Sequence, residues 1–485
     1  MAVGRVSIAL IGLACTVLIV ALWFGKHEEN ETQKRLQLIL EGLLNTEKQI
    51  RVAPSTRIAV GFGSCRDLII PSRQLFRNLQ APNDPQNHDV INTHDELLET
   101  FTYYFKHGAA AERFVANATL FREILQKAKA AADARFHMGG NAALMATRFA
   151  KEGAEVLLGA HMSSDLREQM LEGVTVTGPQ VDEDDHHLLL EYSAGEKFVQ
   201  YQAPRANRFI IHNDHANPRL GSVEGFSEKM VNFSPSLFVL GGVQMMDNFP
   251  FQEGQLDRAM NRLLTVLEEV PDTAAVHFEM ASYVDAALML RIIHQVLPLT
   301  QSLGMNEQEL PNLISLLKYD NISYVADSYP RVATVLDQIR ELFRLLHSSK
   351  PQSRPLSRIH IHTLAFQAIL RVIKDPKNAV REWKATRASA AKAALTAHRH
   401  TCGSHEIDVN QAKIIMDDSF TTTNGPNRKR IPFMPDDPVR CWNEDLDGPN
   451  VEIEFCVAPV LVCTRVLQTG GGGDNVSAAG LVLQA

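Results

Sequence analysis

Near the carboxyl end, Thr469-Gly470-Gly471-Gly472-Gly473-Asp474 sets four consecutive glycines before a carboxylate. Glycines free the backbone to turn several N–H groups to one concave side. Asn475-Val476-Ser477-Ala478-Ala479 reads as a helix start, so an anion there would meet loop amides and the positive end of a helix together. Asp474, at that helix mouth, would face the anion's neighbour. A carboxylate within reach of a phosphoryl group in transfer is a candidate base for the attacking hydroxyl.

Other polar residues are set into apolar runs. Glu279 ends Ala275-Val276-His277-Phe278-Glu279, where burial without a partner would be costly. Glu307 and Glu309 in Gly304-Met305-Asn306-Glu307-Gln308-Glu309 offer further oxygens of the kind Mg²⁺ takes. Arg208 beside Phe209 and Ile210 could clamp two phosphate oxygens, or form a structural salt bridge. His360 and His362 alternate with isoleucines on one strand, suiting the polar wall of a nucleotide pocket or a satisfied core.

These groups need a rigid α/β frame. Arg57–Gly61 reads as a first buried strand, with Asp67 expected at its carboxyl end, where open sheets bind ligands. A helical stretch is expected from about residue 95 to 132, carrying Gly108-Ala109-Ala110-Ala111-Glu112-Arg113. Met138-Gly139-Gly140-Asn141-Ala142 reads as a glycine turn opening a helix. Leu188–Tyr192 and Lys197–Tyr201 read as the arms of one hairpin, an interruption that suggests an inserted lid. The expected fold is therefore α/β, with a largely parallel central sheet and lid insertions at roughly 70–135 and 180–230.

The chain of 485 residues is 45% hydrophobic and 21% charged, an ordinary globular balance that excludes wholesale disorder. A net charge of −8 argues against a nucleic-acid binder. Six cysteines are too sparse for a disulfide framework; most are expected as core thiols, with a Cys402–Cys441 bridge unsupported. Val6–Phe24 is almost unbroken apolar sequence, so residues 1–26 are expected to be a signal peptide or signal-anchor addressed to the endoplasmic reticulum, the only contact with a membrane. Residues 27–51 carry Leu36, Ile39, Leu40 and Leu43 at helical spacing, an amphipathic stalk expected to pack on the domain of residues 52–485.

Seven motifs in order resemble those of the ADP-dependent sugar kinases of the ribokinase-like superfamily. They are Gly-Ala-Ala-Ala-Glu-Arg (108–113), Gly-Gly-Asn-Ala-Ala (139–143), Ala-Asn-Arg-Phe-Ile (206–210), His-Phe-Glu-Met-Ala (277–281), Gly-Met-Asn-Glu-Gln-Glu (304–309), Arg-Ile-His-Ile-His-Thr (358–363) and the terminal GxGD. The resemblance implies a ribokinase-like three-layer sandwich with an α/β lid, and a monomer that moves a phosphoryl group from ADP to the 6-hydroxyl of glucose. The alternatives are an ATP-using or fructose-6-phosphate-phosphorylating relative, or a degenerate binding module. By position, Asp474 resembles the base and Gly471, Gly472 and Gly473 the anion hole. Arg208 resembles the phosphate-contacting arginine, with His360 and His362 placed on the nucleotide side. Asp67, Glu112, Gly140 and Asn141 resemble sugar contacts. Glu279, Glu307 and Asp474 resemble positions around one Mg²⁺ ion, with Asn306 and Glu309 completing an NxxE-like motif. The chain departs at Gly63, where Asn is common, and at Gly470 and Gly472, where branched residues are usual. Those two glycines are expected to loosen the loop, so that branched replacements would raise turnover.

Overall fold

The computed structural model describes residues 30–77, 79–347, 353–446 and 451–485. The apolar run Val6–Phe24 lies outside the described residues; among them, no helix is long and apolar enough to cross a membrane.

A ten-stranded sheet forms the main body. Its strands run parallel from Val174–Thr177, through Glu155–Gly159, Arg57–Gly61, Leu237–Leu240, Ala275–Glu279 and Ser302–Asn306, to Arg358–His362. Three antiparallel strands, Phe366–Lys374, Val451–Pro459 and Arg440–Leu446, extend one edge. The central strands are apolar along both faces because helices cover both. Ile58, Val60, Leu237 and Val239 share a core with helices Asn141–Lys151 and Gly472–Val482. The alternating residues Ala59, Phe238 and Leu240 enter the core on the opposite face, with helices Gln255–Glu269 and Val332–His347. The result is the expected three-layer sandwich.

A separate six-stranded sheet takes Cys65–Pro71, Val90–Ile91, Ala111–Val115, Arg135–Gly139, His186–Tyr192 and Asn207–His212. Helices His94–His107 and Ala118–Lys129 cover its far face, closing a second core around Leu68, Phe101, Leu188 and Phe209. Helix Val223–Phe233 belongs to the main body, since Phe226 and Met230 join the main core.

Several local expectations are corrected. The single helix over 95–132 is two helices with strand Ala111–Val115 between them; Gly108 ends the first in the left-handed conformation, with φ +62°. Asp67 lies inside strand Cys65–Pro71 of the smaller sheet, not at the end of the first strand. His186–Tyr192 pairs with Asn207–His212, while Lys197–Phe198 pairs only with Tyr201–Gln202 in the connection. Four cysteines form disulfides, Cys402–Cys463 and Cys441–Cys456; Cys65 is free and buried. Cys441 and Cys456 sit directly opposite on antiparallel strands, a pairing visible only once the register is known. The helix over residues 30–47 lies against the main body, with Leu36, Ile39, Leu40 and Leu43 in its core and Glu47 held by Arg399 and Lys392.

Candidate active site

Two helix N-termini open onto one cavity between the two sheets. Gly140 precedes helix Asn141–Lys151 with φ +88°, and a Cβ there would come within 2.7 Å of the Ser64 backbone. Gly471 precedes helix Gly472–Val482 with φ +68°, and a Cβ there would come within 2.7 Å of Leu144. Both positions need glycine for conformation and for space. Asp474 stands in the first turn of the terminal helix, and Asn141 Nδ2 donates to its Oδ1 at 2.8 Å. Gln244 Nε2 in turn donates to Asn141 Oδ1.

The cavity wall contains Asp67, Glu112 and Arg208 from the smaller sheet, and Gly140, Asn141, Glu279, His362, Gly471, Gly473 and Asp474 from the ends of the strands and helices around it. A larger adjoining cavity runs past Gly472, Val460, Val462 and Arg465. Arg208, Asn306, His362 and Gly473 line both, so they mark the seam between the chambers.

Glu279 is buried in the wall of the first cavity. Ser477 Oγ donates to its Oε2 at 2.5 Å, and His277 Nε2 lies 2.9 Å from the same oxygen. His362 Nε2 lies 3.5 Å from Oε1. Burial works against the Glu279 charge, but His277 and His362 beside it outweigh that and hold the carboxyl at about 2. Gly304 supplies the room: a Cβ there would be 2.2 Å from Glu279 Oε2. Asp474 moves the other way. Burial, with the Glu279 charge added, pushes its carboxyl up to about 6 against the pull of Asn141 and Arg208.

The family model for the ADP-specific phosphofructokinase/glucokinase conserved region matches residues 56–483. The chain belongs to that family. A Bos taurus protein named "ADP-dependent glucokinase" is 33% identical over 430 residues, covering 88% of this chain and 84% of its own length. A Caenorhabditis elegans protein named "Probable ADP-dependent glucokinase" is 27% identical over 497 residues, covering 98% of this chain and 94% of its own length. A solved "ADP-dependent kinase complex with fructose-6-phosphate and ADPbetaS" superposes with a TM-score of 0.66 at 16% identity, over 93% of this chain and 97% of that one. That likeness shows the fold.

In this member of the ADP-specific phosphofructokinase/glucokinase family, two expected site residues lie elsewhere. His360 is fully buried behind the cavity, with Nε2 3.0 Å from Gln367 Oε1 and its ring against Gly480. It shares a strand face with His362 but sits deeper, under the terminal helix. Glu307 accepts from Arg205 Nη1 at 2.5 Å and lines only the larger cavity. The carboxylate that enters the seam cavity is Glu309. Burial pushes Glu309 up to about 7, with the charges of Glu279 and Asp474 adding to the rise.

His187 was missed. It lines the cavity, with Nε2 2.9 Å from Asp214 Oδ1 and Nδ1 3.4 Å from Glu112 Oε1. The only signal was its place in Asp184-Asp185-His186-His187, since Asp214 is distant in sequence. Burial opposes protonation of His187, yet Asp214, Glu112 and Asp67 carry its imidazole up to about 10. The folded value lies above the ordinary 6.5 of the free ring, so this stabilisation is complete below pH 6.5 and is lost as pH rises toward 10. Melting temperatures across that window are expected to fall more steeply in the parent than in His187→Gln; parallel curves would refute the assignment.

The glycine run is better held than its composition suggests. His400 Nε2 lies 2.8 Å from the Gly470 carbonyl oxygen, and Asn475 Nδ2 donates to the Gly471 oxygen at 2.9 Å. A Cβ on Gly470 would come within 2.7 Å of Leu189 in the smaller sheet. The expectation that branched residues here would raise turnover is therefore reversed at Gly470. Gly470→Val has to displace Leu189 from the cavity wall and is expected to lower kcat/KM by about threefold or more. Kinetics equal to or better than the parent's would show that Leu189 yields freely.

Proposed function

We propose that the chain transfers the β-phosphoryl group of ADP to the 6-hydroxyl of glucose, giving glucose 6-phosphate and AMP. The observation carrying this reading is the seam. Two chambers meet where Arg208, His362 and Gly473 are shared, and Asp474 lies on the wall of the chamber that holds Asp67, Glu112 and His187.

That chamber offers carboxylates and an imidazole to hydroxyl groups, as a neutral sugar requires, and its two carboxylates disfavour a phosphorylated one. The larger chamber suits the nucleotide. Asp474 accepts the proton of the attacking hydroxyl, and a carboxyl raised to about 6 does so better than an ordinary aspartate. First-turn amides of the terminal helix and the Arg208 guanidinium receive the charge on the transferring group.

The oxygen donors are of the kind a hard cation takes. Glu279, Glu309, Asn306 and Asp474 line one cavity with oxygens, and burial, with the Glu279 charge added, raises Glu309 and Asp474. Glu279, Glu309 and Asp474 would hold Mg²⁺ with the help of waters and phosphate, and the ion would supply charge neutralisation at the phosphates.

Purified protein assayed with ADP and ATP against glucose and fructose 6-phosphate tests the reading. The expected products are AMP and glucose 6-phosphate, from ADP and glucose alone. Preference for ATP, preference for fructose 6-phosphate, or absence of turnover would each overturn it.

Residues 1–26 direct the chain to the endoplasmic reticulum in this reading. Two disulfides support an oxidising compartment for the globule. A fluorescent reporter fused to residues 1–26 is expected to reach that compartment; a diffuse cytosolic signal would refute it.

A further inference from the structure

Strand His186–Tyr192 turns one face toward the main body. His187, Leu189 and Glu191 alternate along that face, while Leu188, Leu190 and Tyr192 fill the core on the other side. His187 reaches the chamber assigned to the sugar. Two residues on, Leu189 packs against Gly470. Two further on, Glu191 Oε1 accepts from both the Thr469 backbone N–H at 2.8 Å and the Thr469 hydroxyl at 2.6 Å. Arg135, on strand Arg135–Gly139 of the same sheet, completes the clasp. Its Nη2 donates to Glu191 Oε2 at 2.8 Å and its Nη1 to the Leu467 carbonyl oxygen at 3.1 Å.

We infer that Glu191 is a positioning residue for phosphoryl transfer, holding the glycine loop in its anion-binding shape from the smaller sheet. The loop needs such a tether. Four glycines in a row leave more backbone freedom to lose than any other residues would. His400 and Asn475 restrain Gly470 and Gly471 from the main-body side. The residue leading into the run, Thr469, is held from the other sheet by Glu191. One strand face therefore runs from the sugar chamber at His187 to the start of the glycine run at Thr469. A sugar contact at His187 and the approach to the anion cradle at Glu191 are four residues apart on a rigid ladder, paired residue by residue with Asn207–His212.

The kinetic arm of the test rests on the glucokinase reading; the structural arm does not. Backbone hydrogen exchange of residues 467–476 in the ligand-free full chain is expected to quicken at least about fivefold in Glu191→Ala, through loss of the tether. In the same variant kcat is expected to fall by about ten- to hundredfold, with the glucose KM within about twofold of the parent's. Glu191→Gln keeps an acceptor for Thr469 and is expected to recover kcat to within about threefold. Thr469→Val, which removes the hydroxyl from the opposite side, is expected to reproduce part of the loss and decides the matter if Glu191→Ala fails to fold. Parent-like kcat in folded Glu191→Ala would overturn the inference. So would a kcat loss without faster loop exchange, or a loss that Glu191→Gln does not relieve. A parent inactive on glucose but showing the exchange difference would sink the substrate reading alone; kinetics are then run on the sugar the parent accepts, under the same criteria.

Discussion

Asp474→Asn is expected to reduce kcat by about a thousandfold or more while leaving sugar and nucleotide affinity within a few-fold of the parent's. The amide keeps the shape of the side chain and the contact with Asn141 Nδ2, but it cannot take a proton from the attacking hydroxyl. The anion cradle is untouched, so binding survives. The parent's kcat/KM should have an acidic limb near pH 6. The Asp474 carboxyl is raised to about 6, and the base form is lost as pH falls through that value. A loss of only a few-fold would remove Asp474 from the role of base.

Glu279→Gln is expected to raise the Mg²⁺ concentration needed for half-maximal rate by about ten- to hundredfold, the range found when groups that order a metal's surroundings are changed. Glu279 holds three partners at once, Ser477, His277 and His362, so it ties the terminal helix to its own strand and to strand Arg358–His362, one strand beyond Ser302–Asn306, as well as lining the cavity. Replacing its charge leaves His362 without its carboxylate partner and shifts the wall on which Asp474 and Glu309 stand. Melting measured alongside the Mg²⁺ titration separates the roles. An unchanged titration with a lowered melting temperature would make Glu279 purely structural.

Most of the site was legible because chemistry and spacing coincide in short stretches. Gly140 and Gly471 mark the starts of helices Asn141–Lys151 and Gly472–Val482, and both have positive φ. Arg208, Asp67 and Glu112 stand on strands of the smaller sheet that all turn toward the cavity. The errors have one form. Sequence period assigns a residue to a face but not to a depth, so His360 and His362 looked equivalent although only the second reaches the cavity. Glu307 and Glu309 looked like a pair until Arg205, 102 positions away, was seen to hold the first.

By itself the sequence determined the α/β class, the buried central strands, the glycine turns that open two helices, and the family. Each is written locally, in apolar runs and in residue types that tolerate few backbone conformations. The tertiary structure alone decided which strand pairs with His186–Tyr192, which cysteines meet, and that His187, Asp214 and Glu112 form one buried group. It also decided that the four-glycine run is tethered. Such contacts join residues far apart in the chain, where burial and partner charge depend on register and packing that no local pattern specifies.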